Sequence, residues 1–170
     1  MVMSVGTQIS VEEYLSTAYE PDAEYVDGAL VERNAGDWMQ GLVQSNIIFG
    51  LRRKYPELKV LGPERWRITE TRYYIPDVCV LFELPRIPFY YLEDAAFLVV
   101  EILSPNDRMA RVMEKLHDYH VKGVRNIWLI DPERKKVFVY QAGDLIEVKG
   151  DVVATGEPRF ELTLEEIFQQ

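Results

Sequence analysis

The chain has 170 residues, 48% of them hydrophobic, and a formal net charge of −9. That length supports one domain, residues 1–170, with a real core, and leaves no room for two comfortable ones. The acidic balance argues against a protein coated in basic surface, and a single cysteine, Cys79, excludes an intramolecular disulfide.

No apolar run approaches the roughly 20 residues of a membrane span, and residues 1–10 show no basic stretch leading into an apolar one. We therefore expect a soluble, cytoplasmic protein. The charge is uneven along the chain. Residues 1–32 hold seven acids and no Lys or Arg, residues 143–170 hold seven acids and two bases, and residues 33–142 hold 14 acids and 17 bases. The middle can supply the local positive potential that phosphate needs, although acidic ends that keep the protein soluble explain the same numbers.

Ser10-Val11-Glu12-Glu13 is a capping box, and Val11, Tyr14, Leu15 and Ala18 follow at helical spacing, which predicts a short lid helix. From Glu24 to Val31 the pattern is a hairpin, because Asp27-Gly28 supplies the positive φ angles of a tight turn. Glu24 stands at its start, where the plain reading is an exposed edge residue. Asp37 to Lys54 reads as a helix with Met39, Leu42, Val43, Ile47 and Leu51 inward. Its Arg52-Arg53-Lys54 end complements the helix dipole. Gln40 and Asn46 are placed to face a site, but nothing in the spacing requires it.

Arg65 to Thr69 alternates like a half-buried strand with Trp66 and Ile68 inward, and Tyr73-Tyr74-Ile75 is its partner across the turn. Pro76-Asp77 leads into Val78-Cys79-Val80-Leu81-Phe82, a short buried strand with Asp77 at its start. Leu84 to Tyr91, with Pro85 and Pro88, forms a loop that suits a substrate-facing flap or a subunit contact.

Phe97 to Leu103, FLVVEIL, reads as a strand buried on both faces and holds one carboxylate, Glu101. Burying an ionised Glu costs several kcal/mol unless a metal, a cation or several donors compensate it. A helix follows from about Asp107 to Lys122, capped by Ser104 or Asn106 and stopped by Gly123. Met109, Val112, Met113, Leu116 and Tyr119 form its apolar face. Lys115 lies on the flank of that face, four residues from Tyr119, where its ammonium can turn toward the sheet. Asn126 to Ile130 is the next strand, so a parallel crossover sets Glu101 beside the Lys115 helix. Val137 to Tyr140 and an edge strand, Leu145 to Val148, follow, and Thr163 caps a last helix containing Leu164, Ile167 and Phe168.

The runs FLVVEILSPNDR (97–108) and EKLHDYHVKGVRNIWLIDPERKKVFVY (114–140) resemble the Uma-two family of restriction endonucleases, part of the PD-(D/E)xK nuclease superfamily. VEEYLS, EYVDGALVE and IPDVCVL stand upstream in the family's order, so the resemblance covers nearly the whole chain. It implies an α/β, restriction-endonuclease-like fold: a central mixed β-sheet flanked by helices, with an N-terminal helix and β-hairpin. Asp77 matches the Asp of the PD element and Glu101 the acidic residue of the second half-motif, the two metal ligands of the superfamily. Leu103 occupies the position of the usual Lys, and Lys115 matches a Lys moved to the following helix. Glu24 matches a further family Glu, which the resemblance implies as a catalytic residue and an additional metal ligand. Met39 stands where a His is expected before Gln40, and Arg111 where an Asp is expected four residues before the Lys.

Two carboxylates with a main-chain carbonyl, that of Ile102, make the all-oxygen setting preferred by Mg²⁺, with Mn²⁺ able to substitute. Gln40 and Tyr119 are the candidate substrate contacts. The expected activity is Mg²⁺-dependent endonucleolytic hydrolysis of DNA, by a homodimer. Two alternatives use the same residues differently. One is a catalytically quiet member of the fold acting as a binding or dimerisation module, and the other is a metal-independent glycosidase with Glu101 and Asp77 as its carboxylate pair. No Gly-rich phosphate loop or GxSxG occurs, and His117 and His120 are too few for a typical zinc site.

Overall fold

A computed structural model describes residues 8–33, 36–86 and 90–170. In chain order the elements are α1 (Val11–Ser16), β1 (Ala23–Val26), β2 (Ala29–Glu32), α2 (Trp38–Lys54), β3 (Lys59–Leu61), β4 (Trp66–Thr69), β5 (Arg72–Tyr74) and β6 (Val78–Leu81). There follow β7 (Leu98–Ile102), α3 (Met109–Lys122), β8 (Asn126–Asp131), β9 (Lys136–Gln141), β10 (Asp144–Glu147), β11 (Val152–Ala154), β12 (Glu161–Thr163) and α4 (Leu164–Phe168).

A six-stranded mixed sheet, ordered β10-β9-β8-β7-β6-β3, is parallel at β7–β8 and antiparallel elsewhere. Strand alternation divides its side chains between two cores. Val78, Val80, Leu98, Val100, Ile102, Trp128 and Ile130 pack with Val43, Ile47 and Leu51 of α2 and Ile167 of α4. Cys79, Leu81, Val99, Ile127 and Leu129 pack on the opposite face with Val112, Leu116 and Tyr119 of α3. Glu101 falls in the second set by its parity, which is why it meets α3.

The expected hairpin forms, as β1 paired with β2. It belongs to a separate antiparallel sheet, β2-β1-β5-β4, with Asp27 at φ 49° and Gly28 at φ 95° in its turn. Trp66, Ile68 and Tyr74 of this smaller sheet share the α3 core, with Trp66 stacked on Tyr119 at 5.4 Å. Arg72 on β5 also ties the turn to α3, bonding Asp27 at 2.8 Å, Glu114 at 2.9 Å and Asp118 at 2.7 Å. Tyr14 of α1 closes a third cluster over Tyr25 and Tyr73.

Helix ends follow local chemistry. Ser10 accepts from the Glu13 N–H, Asp37 accepts from that of Gln40, and Thr163 and Glu166 make a reciprocal capping box. Lys54, at the helix end expected to complement the dipole, also bonds Glu166 at 2.6 Å. The helix expected from Asp107 begins instead at Met109 and is capped by neither Ser104 nor Asn106. The Asp107 carboxylate turns back to accept from the Ser104 N–H at 2.7 Å, and Arg108 takes the cap position without a side-chain bond. Gly123, at φ 101°, stops the helix where expected. Three short strands, β3, β11 and β12, carried no sequence signal. The proposed Leu84 to Tyr91 flap falls partly on 87–89, outside the described residues.

Candidate active site

The two sheets and α3 converge on a cleft of about 410 Å³ lined by Glu24, Arg33, Gln40, Asp77, Glu101, Ile102 and Lys115, among others. Asp77 is fixed at the mouth of β6. Its Oδ2 accepts from the Ile102 N–H at 2.7 Å, its Oδ1 accepts from Arg33 at 2.8 Å, and its main-chain oxygen accepts from Gln44 Nε2 at 2.7 Å. Beside it the Ile102 carbonyl accepts from Gln40 Nε2 at 2.9 Å. Pairing of Val78 with Val100 sets these two main-chain segments next to each other.

Lys115 reaches inward from α3 with only 11% of its side chain exposed. Its ammonium lies 2.8 Å from Glu24 Oε1 on β1 and 2.9 Å from Glu101 Oε1 on β7. Glu101 Oε1 also accepts from the Tyr119 hydroxyl at 2.6 Å. Glu24 accepts in addition from the Ile75 N–H at 3.0 Å and from Arg111 at 2.8 Å. Asp77, Glu101, Lys115 and Glu24 are thus brought together, from a sequence span of over 90 residues. Glu24 is no exposed edge residue: its side chain is 4% exposed.

Burial and charge divide the three carboxyls. Burial pushes Glu101 up to about 7; Lys115 opposes this, while Asp77 and Glu24 add to it. Burial likewise raises Asp77 despite Arg33 and the Ile102 N–H. Glu24 is held below the usual range: burial would raise it, but the charge and hydrogen bond of Lys115, the Ile75 N–H and Arg111 prevail. Burial alone would lower Lys115, and the two glutamates keep it raised, so it remains an ammonium.

These residues fit a divalent cation. Asp77 and Glu101 are both raised because the protein under-compensates two neighbouring buried carboxylates, and a cation between them would remove that deficit. The donors are all oxygen, with Ile102 lining the same cleft. Ser104 adds a further oxygen. It is 8% exposed, lines the same cleft, and its buried hydroxyl has no hydrogen-bond partner. Among the described residues no cluster of three or more His, Cys, Asp or Glu side chains is spaced to hold a metal, so a cation here would rest on the two carboxylates with main-chain and Ser104 oxygen.

The remaining sequence candidates divide. Gln40 faces the cleft but is spent on the Ile102 carbonyl, and Tyr119 is fully buried, so that its hydroxyl positions Glu101 and its ring offers no open surface. Asn46 turns away to α4, donating to the Ile167 and Gln169 carbonyls. Sequence reasoning missed Arg33, Gln44 and Ser104. Arg33 had one signal, as the first basic residue of the chain after seven acids.

A family model, Uma2, described as "Putative restriction endonuclease", matches residues 11–167. Among solved structures, a "putative nuclease belonging to DUF820" from Anabaena variabilis superposes with a TM-score of 0.80 at 20% identity, covering 94% of this chain and 97% of that one. At that identity the likeness speaks for the fold alone. A DrdV–DNA complex matches with a TM-score of 0.35 and 10% identity over 76% of this chain and 9% of that one, too weak to bear on either fold or function. No curated protein matches.

Proposed function

The chain belongs to the Uma2 family of restriction-endonuclease-like proteins, and on that footing we propose that it is a divalent-metal-dependent endonuclease hydrolysing phosphodiester bonds of DNA. One observation carries the reading: Lys115 bridges Glu24 and Glu101 at 2.8 and 2.9 Å beside an Asp77 locked to the Ile102 N–H. Isolated buried ion pairs contribute little net stability, so a structure with three carboxylates and a lysine at one cleft is better explained by chemistry.

Asp77, Glu101 and the Ile102 carbonyl would hold Mg²⁺, with Mn²⁺ able to substitute. When bound, such an ion supplies positive charge to the scissile phosphate and acidifies a water molecule. Lys115, kept protonated by its two glutamates, cannot serve as the base; it donates hydrogen bonds to the attacking water or to a phosphate oxygen as negative charge builds there. Glu24 orients Lys115: one of its oxygens meets the ammonium and the Ile75 N–H, and the other meets Arg111. Tyr119 holds Glu101 in place.

The test combines Mn²⁺ titration by calorimetry with cleavage of plasmid DNA in Mg²⁺. Wild type binds Mn²⁺ and cuts; Asp77→Asn does neither; Lys115→Ala still binds the ion but cuts at least a hundredfold more slowly, as expected on the order of magnitude for losing one aligned donor. Absence of saturable Mn²⁺ binding in wild type would sink the reading.

The binding-module alternative has its own support. Arg33 already pairs with Asp77 and Arg111 with Glu24, so the network has counter-ions of its own. It predicts no ion binding, or binding without cleavage. The glycosidase reading gains nothing, because it needs a carboxylate pair free of cations, whereas Lys115 sits on Glu101 and Arg33 on Asp77. A homodimer working in the cytoplasm completes the proposal; sedimentation velocity tests the first point. Among the described residues no helix is long and apolar enough to cross a membrane.

A further inference from the structure

Arg33 follows β2 at the rim of the cleft. Its guanidinium meets Asp77 Oδ1 at 2.8 Å through one nitrogen, without the two-pronged bond that arginine commonly makes to a carboxylate. The two partners differ in accessibility: 28% of the Arg33 side chain is exposed, against 6% for Asp77. The other Asp77 oxygen, Oδ2, is committed to the Ile102 N–H. Oδ1, held only by a partly exposed side chain, is therefore the oxygen a metal takes without crowding a main-chain hydrogen bond, and it is the one that Arg33 occupies.

A divalent ion binds carboxylate oxygen at roughly 2.1 Å if it is Mg²⁺. Guanidinium and metal cannot share Oδ1 closely without setting like charges against each other. One of them must leave, and the partly exposed arginine on its flexible stem is the mobile partner. Arg108 and Arg111 line the same cleft, so a displaced Arg33 would remain among cations at the site rather than move into a neutral setting. The best exchange for its lost carboxylate is a phosphate oxygen.

We propose that Arg33 is a metal-displaced phosphate ligand: without metal it neutralises Asp77, and cation binding at Asp77 releases its guanidinium to hold a phosphate of the nucleic-acid backbone. This rests on the nuclease reading and adds an order of events. Metal and Arg33 compete for one oxygen, while metal and substrate phosphate cooperate through the same side chain. The cost of the competition is a lower apparent metal affinity. If the pair is formed in about nine molecules of ten, the apparent Kd is about tenfold above the intrinsic one.

The experiment titrates Mn²⁺ into the full chain at pH 8 for wild type, Arg33→Gln, Arg33→Lys and Asp77→Asn, with thermal melts confirming that each is folded. Arg33→Gln is expected to bind Mn²⁺ about tenfold more tightly than wild type, Arg33→Lys to fall between, and Asp77→Asn not to bind. A second readout follows fluorescein-labelled duplex DNA by anisotropy over a range of KCl. In Ca²⁺ the salt slope of wild type should exceed that of Arg33→Gln by about one phosphate contact, and in EDTA the two slopes should coincide. Equal or weaker Mn²⁺ affinity in Arg33→Gln, or equal salt slopes in Ca²⁺, overturns the proposal. If wild type binds Mn²⁺, Asp77→Asn does not, and Arg33→Gln matches wild type, the metal centre stands and only the role of Arg33 falls. If neither wild type nor Arg33→Gln binds the ion, both readings fall together.

Discussion

Glu24 and Lys115 meet at 2.8 Å although one belongs to the smaller sheet and the other to the helix packed on the larger one. Their contact, reinforced by Arg111 on the other Glu24 oxygen, is the ionic seam of the cleft. It fixes the lysine ammonium against Glu101 and so sets the geometry on which the proposed chemistry depends.

Breaking that seam should destabilise the fold as well as the site. Glu24→Ala leaves Lys115 with one partner and Arg111 with none of its Glu24 bond, and removing one member of a buried ionic group costs roughly 3–5 kcal/mol. Urea unfolding of Glu24→Ala and wild type measures it. A loss under about 1 kcal/mol would mean that the network relaxes around the gap and carries little of the stability.

Glu101 makes stability depend on pH in a specified direction. Its folded value, about 7, lies above the ordinary 4.5, so between those two values the native protein binds more protons than the unfolded chain and stability falls as pH rises. The penalty reaches at most about 3 kcal/mol and is constant above pH 7. In EDTA, the stability of Glu101→Gln relative to wild type should therefore grow from pH 5 to pH 7 and then level off. A difference independent of pH would show that Glu101 is ionised throughout, with Lys115 and Tyr119 compensating it fully.

Cys79 offers a clean probe of the core. Its side chain is fully buried, and burial pushes the thiol up to about 12. At pH 8 the native protein should leave a thiol reagent such as DTNB unreacted for as long as it stays folded, and denaturant should release one thiol per chain. Fast labelling of the native state would mean that β6 opens locally, which is incompatible with a rigid Asp77 next to it.

Arg72 should act at a distance from the cleft. Arg72→Gln removes bonds to Asp27, Glu114 and Asp118 together, and we expect a loss of roughly 1–2 kcal/mol, modest because its partners are partly solvated. Hydrogen exchange should locate the change in the β1–β2 turn and the middle of α3. An effect spread evenly over both sheets would argue against a local clamp.

Much of this was legible from local chemistry. The buried-strand pattern around Glu101, the Asp-Gly turn after Val26, the Asp37 cap and the Gly123 stop all depend on neighbours within a few residues, and each is where the pattern puts it. For Lys115, helical spacing allowed an inward turn, and the resemblance to the Uma-two family singled it out. What stayed hidden depends on distant partners. Nothing near Glu24 distinguishes an edge residue from one sealed beneath α3, and nothing near Arg33 points to Asp77, 44 residues away. The α3 start was misjudged because Asp107 has two uses, as a cap or as a turn closer, and only tertiary structure selects between them.

The cleft lies where two separately hydrogen-bonded sheets close on one helix, and Arg111 reaches Glu24 across 87 residues of chain. Contacts of such separation carry the entropy cost of closing the long loop between them. A half-folded or still-growing chain, even with β6 and β7 paired, has no ammonium between its carboxylates. The ionic network of the cleft is thus a signature of the finished molecule, since it needs both sheets and α3 in place at once.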